Sequence, residues 1–179
     1  APCRAGGKGR DFFRALTHWR GGGTTAMNIP HAGVPPTMAQ DVRYRILALD
    51  DNEEVLELIR LTLSDNYDVV TLRDPVNLYE VMDVFEPDLL ILDVMMPKVS
   101  GFQLTEMLRR KNDTKDLPII IMSAKSSPGE VKHGYKVGAT LYLTKPFAPD
   151  RLLKNVETQF QVQPPHRAAK SQNVNQVAE

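Results

Sequence analysis

Between residues 44 and 160 the chain alternates two hydrophobic rhythms: short apolar runs, and between them apolar positions that return at helical spacing. Tyr44-Arg45-Ile46-Leu47-Ala48-Leu49 reads as a strand running into Asp50-Asp51, and Val55, Leu58, Ile59 and Leu63 then repeat along one side of a helix. Tyr67 to Leu72 predicts a second strand. Asp74 followed by Pro75 predicts an N-cap with proline in the first helical position, opening a helix to about Phe85. Asp88 to Leu92 and Pro118 to Met122 read as strands apolar on both faces. Ser100 with Gln103, and Ser127 with Glu130, have capping-box spacing, and Gly138 suits the stop of the helix that Ser127 opens. Thr140 to Leu143 is the fifth strand, and Pro149-Asp150 opens a last helix with Leu152, Leu153, Val156 and Phe160 on one side.

Five strand–helix units in this order predict an α/β fold. Strands apolar on both faces belong to a parallel sheet covered by helices on each side, and right-handed crossovers make it doubly wound. In such sheets ligands lie beyond the carboxyl ends of the strands.

The flanks lack either rhythm. Residues 1–40 hold seven of the eleven glycines, including Gly21-Gly22-Gly23, and four prolines. They are expected to be a disordered or non-native basic leader, with a basic arm for an anionic partner as the weaker alternative. Residues 43–160 form the expected domain, and 161–179, with Pro164-Pro165, a polar tail or linker.

Lys plus Arg equal Asp plus Glu over the whole chain, but the balance is uneven. It is +4 from Ala1 to Met38, −5 from Ala39 to Phe160 and +1 beyond. An acidic body argues against nucleic-acid binding by this domain. Cys3 is the only cysteine, so no disulfide framework or cysteine-based metal site can form within the chain, which fits a reducing, cytoplasmic setting. No apolar run approaches the ~20 residues of a membrane span.

The residues that follow each strand decide the chemistry. Asp50 and Asp51 follow the first, Asp93 ends the third, Ser123-Ala124 follow the fourth and Lys145-Pro146 the fifth. Helix capping accounts for one acid, not for three from two strands. Three clustered carboxylates repel one another, and hard oxygen ligands in that arrangement suit Mg²⁺. An ammonium and a hydroxyl beside them complete a set of groups suited to phosphoryl transfer, where placement and charge neutralisation dominate. Neither G-x-G-x-x-G nor G-x-x-x-x-G-K-[ST] is present, which disfavours a nucleotide-binding enzyme.

Asp50-Asp51, Asp93-Val94-Met95-Met96-Pro97 followed by Gly101, Ser123-Ala124 and Lys145-Pro146-Phe147 resemble the receiver domains of two-component response regulators. The resemblance implies a flavodoxin-like (βα)5 fold with strand order 2-1-3-4-5. It implies Asp93 as phosphoacceptor and Asp51 as a direct Mg²⁺ ligand (Mn²⁺ being an alternative ion). Asp50 would act through a metal-bound water, and the Met95 backbone carbonyl would complete the ligand set. Ser123 and Lys145 would take phosphoryl oxygens, Ser123 and Tyr142 would form the switch, and the Lys145–Pro146 bond would be cis. Met95 and Lys125 would tune the lifetime of the acyl phosphate.

The implied donor is a sensor histidine kinase or a phosphotransfer protein, and the implied output is an unknown downstream protein. The domain would assist its own phosphorylation and dephosphorylation, with no separate catalytic domain. It would act either alone or as the receiver part of a longer regulator, and whether phosphate drives a homodimer stays open. The alternative is a receiver-like interaction module that works without phosphate. A phosphate hydrolase is less favoured, because Met95 stands where such enzymes usually carry a second acid.

Overall fold

The computed structural model describes residues 43–162. The leader expected at 1–40, and the tail from residue 163 onward, lie outside that range. Five strands alternate with five helices: β1 Arg45–Leu49, α1 Glu53–Leu63, β2 Asp68–Leu72, α2 Leu78–Phe85, β3 Leu89–Asp93, α3 Gly101–Arg109, β4 Ile119–Ser123, α4 Pro128–Lys136, β5 Leu141–Thr144 and α5 Pro149–Val162. All strands are parallel, in the order β2-β1-β3-β4-β5. This is the flavodoxin-like (βα)5 topology.

Period-two alternation sorts the strand residues between two cores. Leu47, Leu49, Leu90, Leu92, Ile119, Ile121 and Tyr142 point to the side covered by α2, α3 and α4. Ile46, Ala48, Leu89, Ile91, Ile120, Met122 and Leu143 point to the side covered by α1 and α5. β3 and β4 are buried along their whole length, as continuous apolar runs require of central parallel strands. β2, at the edge of the sheet, is only half-buried.

The helix boundaries follow their caps. Asn52, rather than either neighbouring aspartate, caps α1, accepting the Glu54 and Val55 N–H groups. Ser100 and Gln103 form the expected reciprocal capping box on α3. The box expected at α4 is half made. Ser127 Oγ accepts the Glu130 N–H, but the Glu130 carboxylate takes the Ser127 hydroxyl and an ion pair from Lys125 at 3.2 Å. Gly138 follows the end of α4 with φ +103, the left-handed backbone that favours glycine.

One boundary is corrected. Asp74 does not cap α2, which begins at Leu78 after Asn77. Asp74 instead accepts the Val76 N–H at 2.9 Å and the Leu78 N–H goes to the Pro75 carbonyl, so Asp74 and Pro75 build a turn before the helix. α5 also runs two residues past Phe160, to Val162. Among the described residues no helix is long and apolar enough to cross a membrane.

Candidate functional site

Register brings the acids together. Leu49 of β1 lies opposite Leu92 of β3, so Asp50 and Asp93 come next on neighbouring strands, side by side at the carboxyl edge. Asp50 and Asp93 are buried, and Asp51 is exposed one residue further on. One carboxylate oxygen from each of the three lies within 4.8 Å of the others. Two strands away, Thr144 of β5 pairs with Ser123 of β4, and the Lys145 N–H continues that ladder to the Ser123 carbonyl at 2.8 Å. From there Lys145 reaches across the edge, its Nζ 2.5 Å from Asp50 Oδ2 and 2.6 Å from Asp93 Oδ1.

The two buried acids have further support. Asp50 Oδ1 accepts the Asn52 N–H at 3.0 Å, so the cap of α1 also orients the buried carboxylate. Asp93 Oδ2 accepts the Met95 N–H at 2.5 Å. Behind Asp93 a glycine is required, since a Cβ at Gly101 would lie 2.3 Å from the Asp93 carbonyl oxygen. The first turn of α3 therefore sits directly against the Asp93 backbone.

The titration behaviour follows from this burial. Burial pushes the Asp50 carboxyl above its ordinary range and the charge of Asp93 adds to it, while hydrogen bonds from Lys145 and Asn52 and the Lys145 charge oppose it. For Lys145 burial pulls downward, but hydrogen bonds and charge from Asp50 and Asp93 carry the ammonium above its usual value. Lys145 therefore stays charged at neutral pH, and one ammonium stands among three carboxylates. That deficit of positive charge, framed by hard oxygen donors, fits a divalent cation held near Asp50, Asp51 and Asp93.

The remaining sequence candidates form a second line. Ser123 is fully buried, its Oγ accepting the Lys125 N–H at 3.0 Å. Tyr142 is buried, and its hydroxyl donates to the Lys125 carbonyl at 2.8 Å. The single residue Lys125 thus joins Ser123 to Tyr142 through its backbone, while its side chain points to Glu130. Met95 is exposed at the rim of the site. The Lys145–Pro146 bond is cis, as the resemblance implies.

Three features escaped the sequence reading. The link from Asn52 to Asp50 was hidden because an Asx residue after a strand reads equally as a cap. Gly134 lies against the Tyr142 ring, and nothing in its sequence setting marks that contact. The direct bond from Lys145 to Asp50 needed the register of strands distant in sequence.

A parallel (βα)5 sheet that gathers three aspartates and a lysine at its carboxyl edge defines a receiver domain. Residues 46–157 match the family described as response regulator receiver domain, and this chain belongs to that family. The acidic cluster is consistent with its phosphoacceptor site. The chain is similar to the response regulator MprA of Mycobacterium leprae (strain TN), with 41% identity over 128 residues, covering 71% of this chain and 55% of that protein. It thus spans about half the length of the curated relatives it matches. Among solved structures it is similar to the Vibrio cholerae chemotaxis protein CheY4, with TM-score 0.62, 32% identity and coverage of 65% of this chain and 98% of the other. DrrB of Thermotoga maritima, an OmpR/PhoB homologue, aligns with TM-score 0.60 and 27% identity, covering 67% of this chain and 53% of DrrB.

Proposed function

We propose that this domain accepts a phosphoryl group on Asp93 from the phosphohistidine of a sensor kinase or phosphotransfer protein, and that the modification switches a partner-binding surface. One observation carries the reading: Asp50, Asp51 and Asp93 each place an oxygen within 4.8 Å of the others, with Lys145 bonded to two of them. A carboxylate oxygen of Asp93 attacks phosphorus, the phosphorus–nitrogen bond of the donor breaks, and an acyl phosphate forms. Bound at the acids, Mg²⁺ supplies neutralisation of charge on the transferred oxygens, and Mn²⁺ could substitute. Asp51 would hold the ion directly and Asp50 through a water, and Asp93 and the Met95 carbonyl would complete the protein's share.

Lys145 holds Asp93 in place before transfer and takes a phosphoryl oxygen afterwards. Ser123 leaves the Lys125 N–H to hydrogen-bond another oxygen. Because Tyr142 bonds the carbonyl of the same residue, Lys125, movement of Ser123 changes the packing of Tyr142 under α4. The added charge of about −1.5 to −2 drives the shift. Met95 and Lys125, at the rim, set how quickly water reaches the acyl phosphate. The domain then works in the cytoplasm either alone or as the receiver part of a longer regulator, without contacting nucleic acid itself.

Incubation with acetyl phosphate and intact-mass measurement tests this. A single phosphoryl adduct should form with Mg²⁺, disappear with chelator and be absent in Asp93→Asn. Labelling that ignores Mg²⁺, or that survives in Asp93→Asn, rejects the assignment. No labelling under any condition leaves the phosphorylation-independent module as the better description.

A further inference from the structure

At the amino edge of the sheet, away from the three aspartates, α2 and the connection from α3 to β4 border a cavity of about 100 Å³. That is more than one water needs and less than the ~300–1,000 Å³ of a drug-sized site, so it suits a group of a few heavy atoms. Tyr79, Met82, Asp83 and Glu86, spaced i, i+3, i+4 and i+7, line it from α2, and Lys111 and Asp113 line it from the connection. Met82 and Leu117, both buried, make its apolar part.

Three features define the chemistry of this cavity. The Tyr79 hydroxyl is buried, and among the described residues it is the one buried side-chain nitrogen or oxygen without a hydrogen-bond partner. A buried hydroxyl in that state is costly, and a group that bonds it recovers the loss. The neighbouring Thr114 hydroxyl is already committed, donating to the Leu108 carbonyl at 2.7 Å. Next, α2 ends in acids. A helix C-terminus favours cations, yet the last turn of α2 has no basic residue and carries Asp83, with Glu86 at the C-cap. Finally, cations already gather here. The Lys111 ammonium lies 3.4 Å from the centre of the Tyr79 ring, and Arg45 donates to the Phe85 carbonyl at 2.9 Å and stands 3.9 Å from Glu86. Three carboxylates, those of Asp83, Glu86 and Asp113, still stand against only these two cations.

We propose that this cavity binds a guanidinium group, with the Tyr79 hydroxyl and the Asp83 carboxylate accepting its N–H donors. The acids here are not arranged for a divalent metal ion. Among the described residues only Asp50, Asp51 and Asp93 each bring an oxygen within 4.8 Å of the others. A planar cation with five N–H donors bridges acceptors that stand apart, whereas an ammonium concentrates its charge at one point. An anion would meet the carboxylates and the negative end of α2. The guanidinium belongs either to a small free ligand or to an arginine side chain of another protein, and the chemistry of recognition is the same for both. The site lies at the edge opposite Asp93, so the proposal does not depend on the phosphoryl-transfer reading.

The test is an NMR titration of the ¹⁵N-labelled full chain with methylguanidinium chloride, with urea as its neutral counterpart and with methylammonium chloride, all at one ionic strength. Methylguanidinium should shift the amides of Asp83, Glu86 and Asp113 saturably, with the millimolar affinity expected of so few atoms. Urea should leave them unmoved, and methylammonium should bind about fivefold more weakly. Tyr79→Phe and Asp83→Asn should each weaken methylguanidinium binding about fivefold. Tyr79→Phe should also keep or raise the Tm of the free protein, because the hydroxyl it removes bonds nothing. Acetyl-phosphate labelling should stay intact in both variants. Agmatine and a blocked Gly-Arg-Gly peptide then separate the sources: tighter binding of agmatine assigns a small free ligand, and tighter binding of the peptide assigns an arginine side chain. The proposal is overturned if the shifts do not saturate or map elsewhere, if urea produces them equally, or if both variants bind as well as the parent. It is equally overturned if Mg²⁺ binds these residues more tightly than methylguanidinium does. Agmatine and peptide that both bind no more tightly than methylguanidinium would likewise overturn it, as weak binding at high concentration only.

Discussion

Asp50 carries the opposing demands of the site most plainly. Its carboxyl is buried, and burial raises its pKa despite hydrogen bonds from Lys145 and the Asn52 N–H. A carboxyl whose folded pKa is raised contributes stability below its ordinary range and loses it as pH rises through the folded value. At neutral pH the ionised group is a net burden on the fold, the cost that the proposed cation site requires. Asp50→Asn should therefore raise the Tm of the metal-free protein and abolish the further rise that Mg²⁺ gives the parent, both visible in one thermal scan. An unchanged Mg²⁺ response would remove Asp50 from the metal site. At this scale much was legible in the sequence, because residues after apolar strands must collect at one edge whatever the details. What was not legible was which atoms meet. Asn52 steadying Asp50 is a local contact that reads equally as a helix cap, whereas Lys145 reaching past Asp93 to Asp50 depends on register across strands 95 residues apart.

Two glycines show how helices are tied to the site, and they differ in kind. A Cβ at Gly101 would meet backbone, the Asp93 carbonyl oxygen at 2.3 Å. No rotamer relieves that contact, so Gly101→Ala should shift the β3–α3 connection and lower both Tm and the labelling rate. A Cβ at Gly134 would meet a side chain, Tyr142 Cδ2 at 2.8 Å. The ring can move, so Gly134→Ala should drive Tyr142 outward at a cost of about 1–3 kcal/mol and break its bond to the Lys125 carbonyl. Tyr142 ring shifts left unchanged in that variant would contradict the packing described for α4. Caps were partly readable. Ser100 and Gln103 form the pair their spacing announces, and Ser100→Ala should cost about 1 kcal/mol in chemical denaturation. Asp74-Pro75 has the same appearance but closes a turn, because its carboxylate finds the Val76 N–H first. Local sequence does not separate these outcomes, since both satisfy the same N–H groups.

Across the molecule the two ends of the sheet have different tasks. The carboxyl edge gathers the site's carboxylates, and at the opposite edge aromatic contacts stand beside the pairs of Arg43 with Asp68 and Arg45 with Glu86. There Phe160 of α5 stacks on Tyr44 at 4.0 Å and meets Tyr67 at 5.4 Å, fixing the last helix against the start of β1 and the entrance to β2. Burial raises the Tyr67 phenol above its ordinary value near 10, and the charges of Glu157 and Tyr44 add to it. The neutral phenol is the form the fold accepts. Its contribution is complete below the unfolded pKa and is lost as pH climbs through the folded one. Stability should fall above about pH 10, with a slope that Tyr67→Phe makes shallower. The alternation of strand and helix was enough to predict this architecture, because a parallel sheet needs both faces covered. The aromatic closure was not, since Tyr44, Tyr67 and Phe160 lie far apart in sequence and read separately as strand and helix residues.

Among the three neighbouring carboxylates, Asp93 is the one proposed to form the bond to phosphorus. An acyl phosphate can be trapped by borohydride, which reduces the modified aspartate to homoserine, and peptide mass spectrometry then locates the change. After treatment with acetyl phosphate and Mg²⁺, homoserine is predicted at position 93, with Asp50 and Asp51 intact. Homoserine at 50 or 51, or at no position in a protein that carries a phosphoryl adduct, would contradict the account.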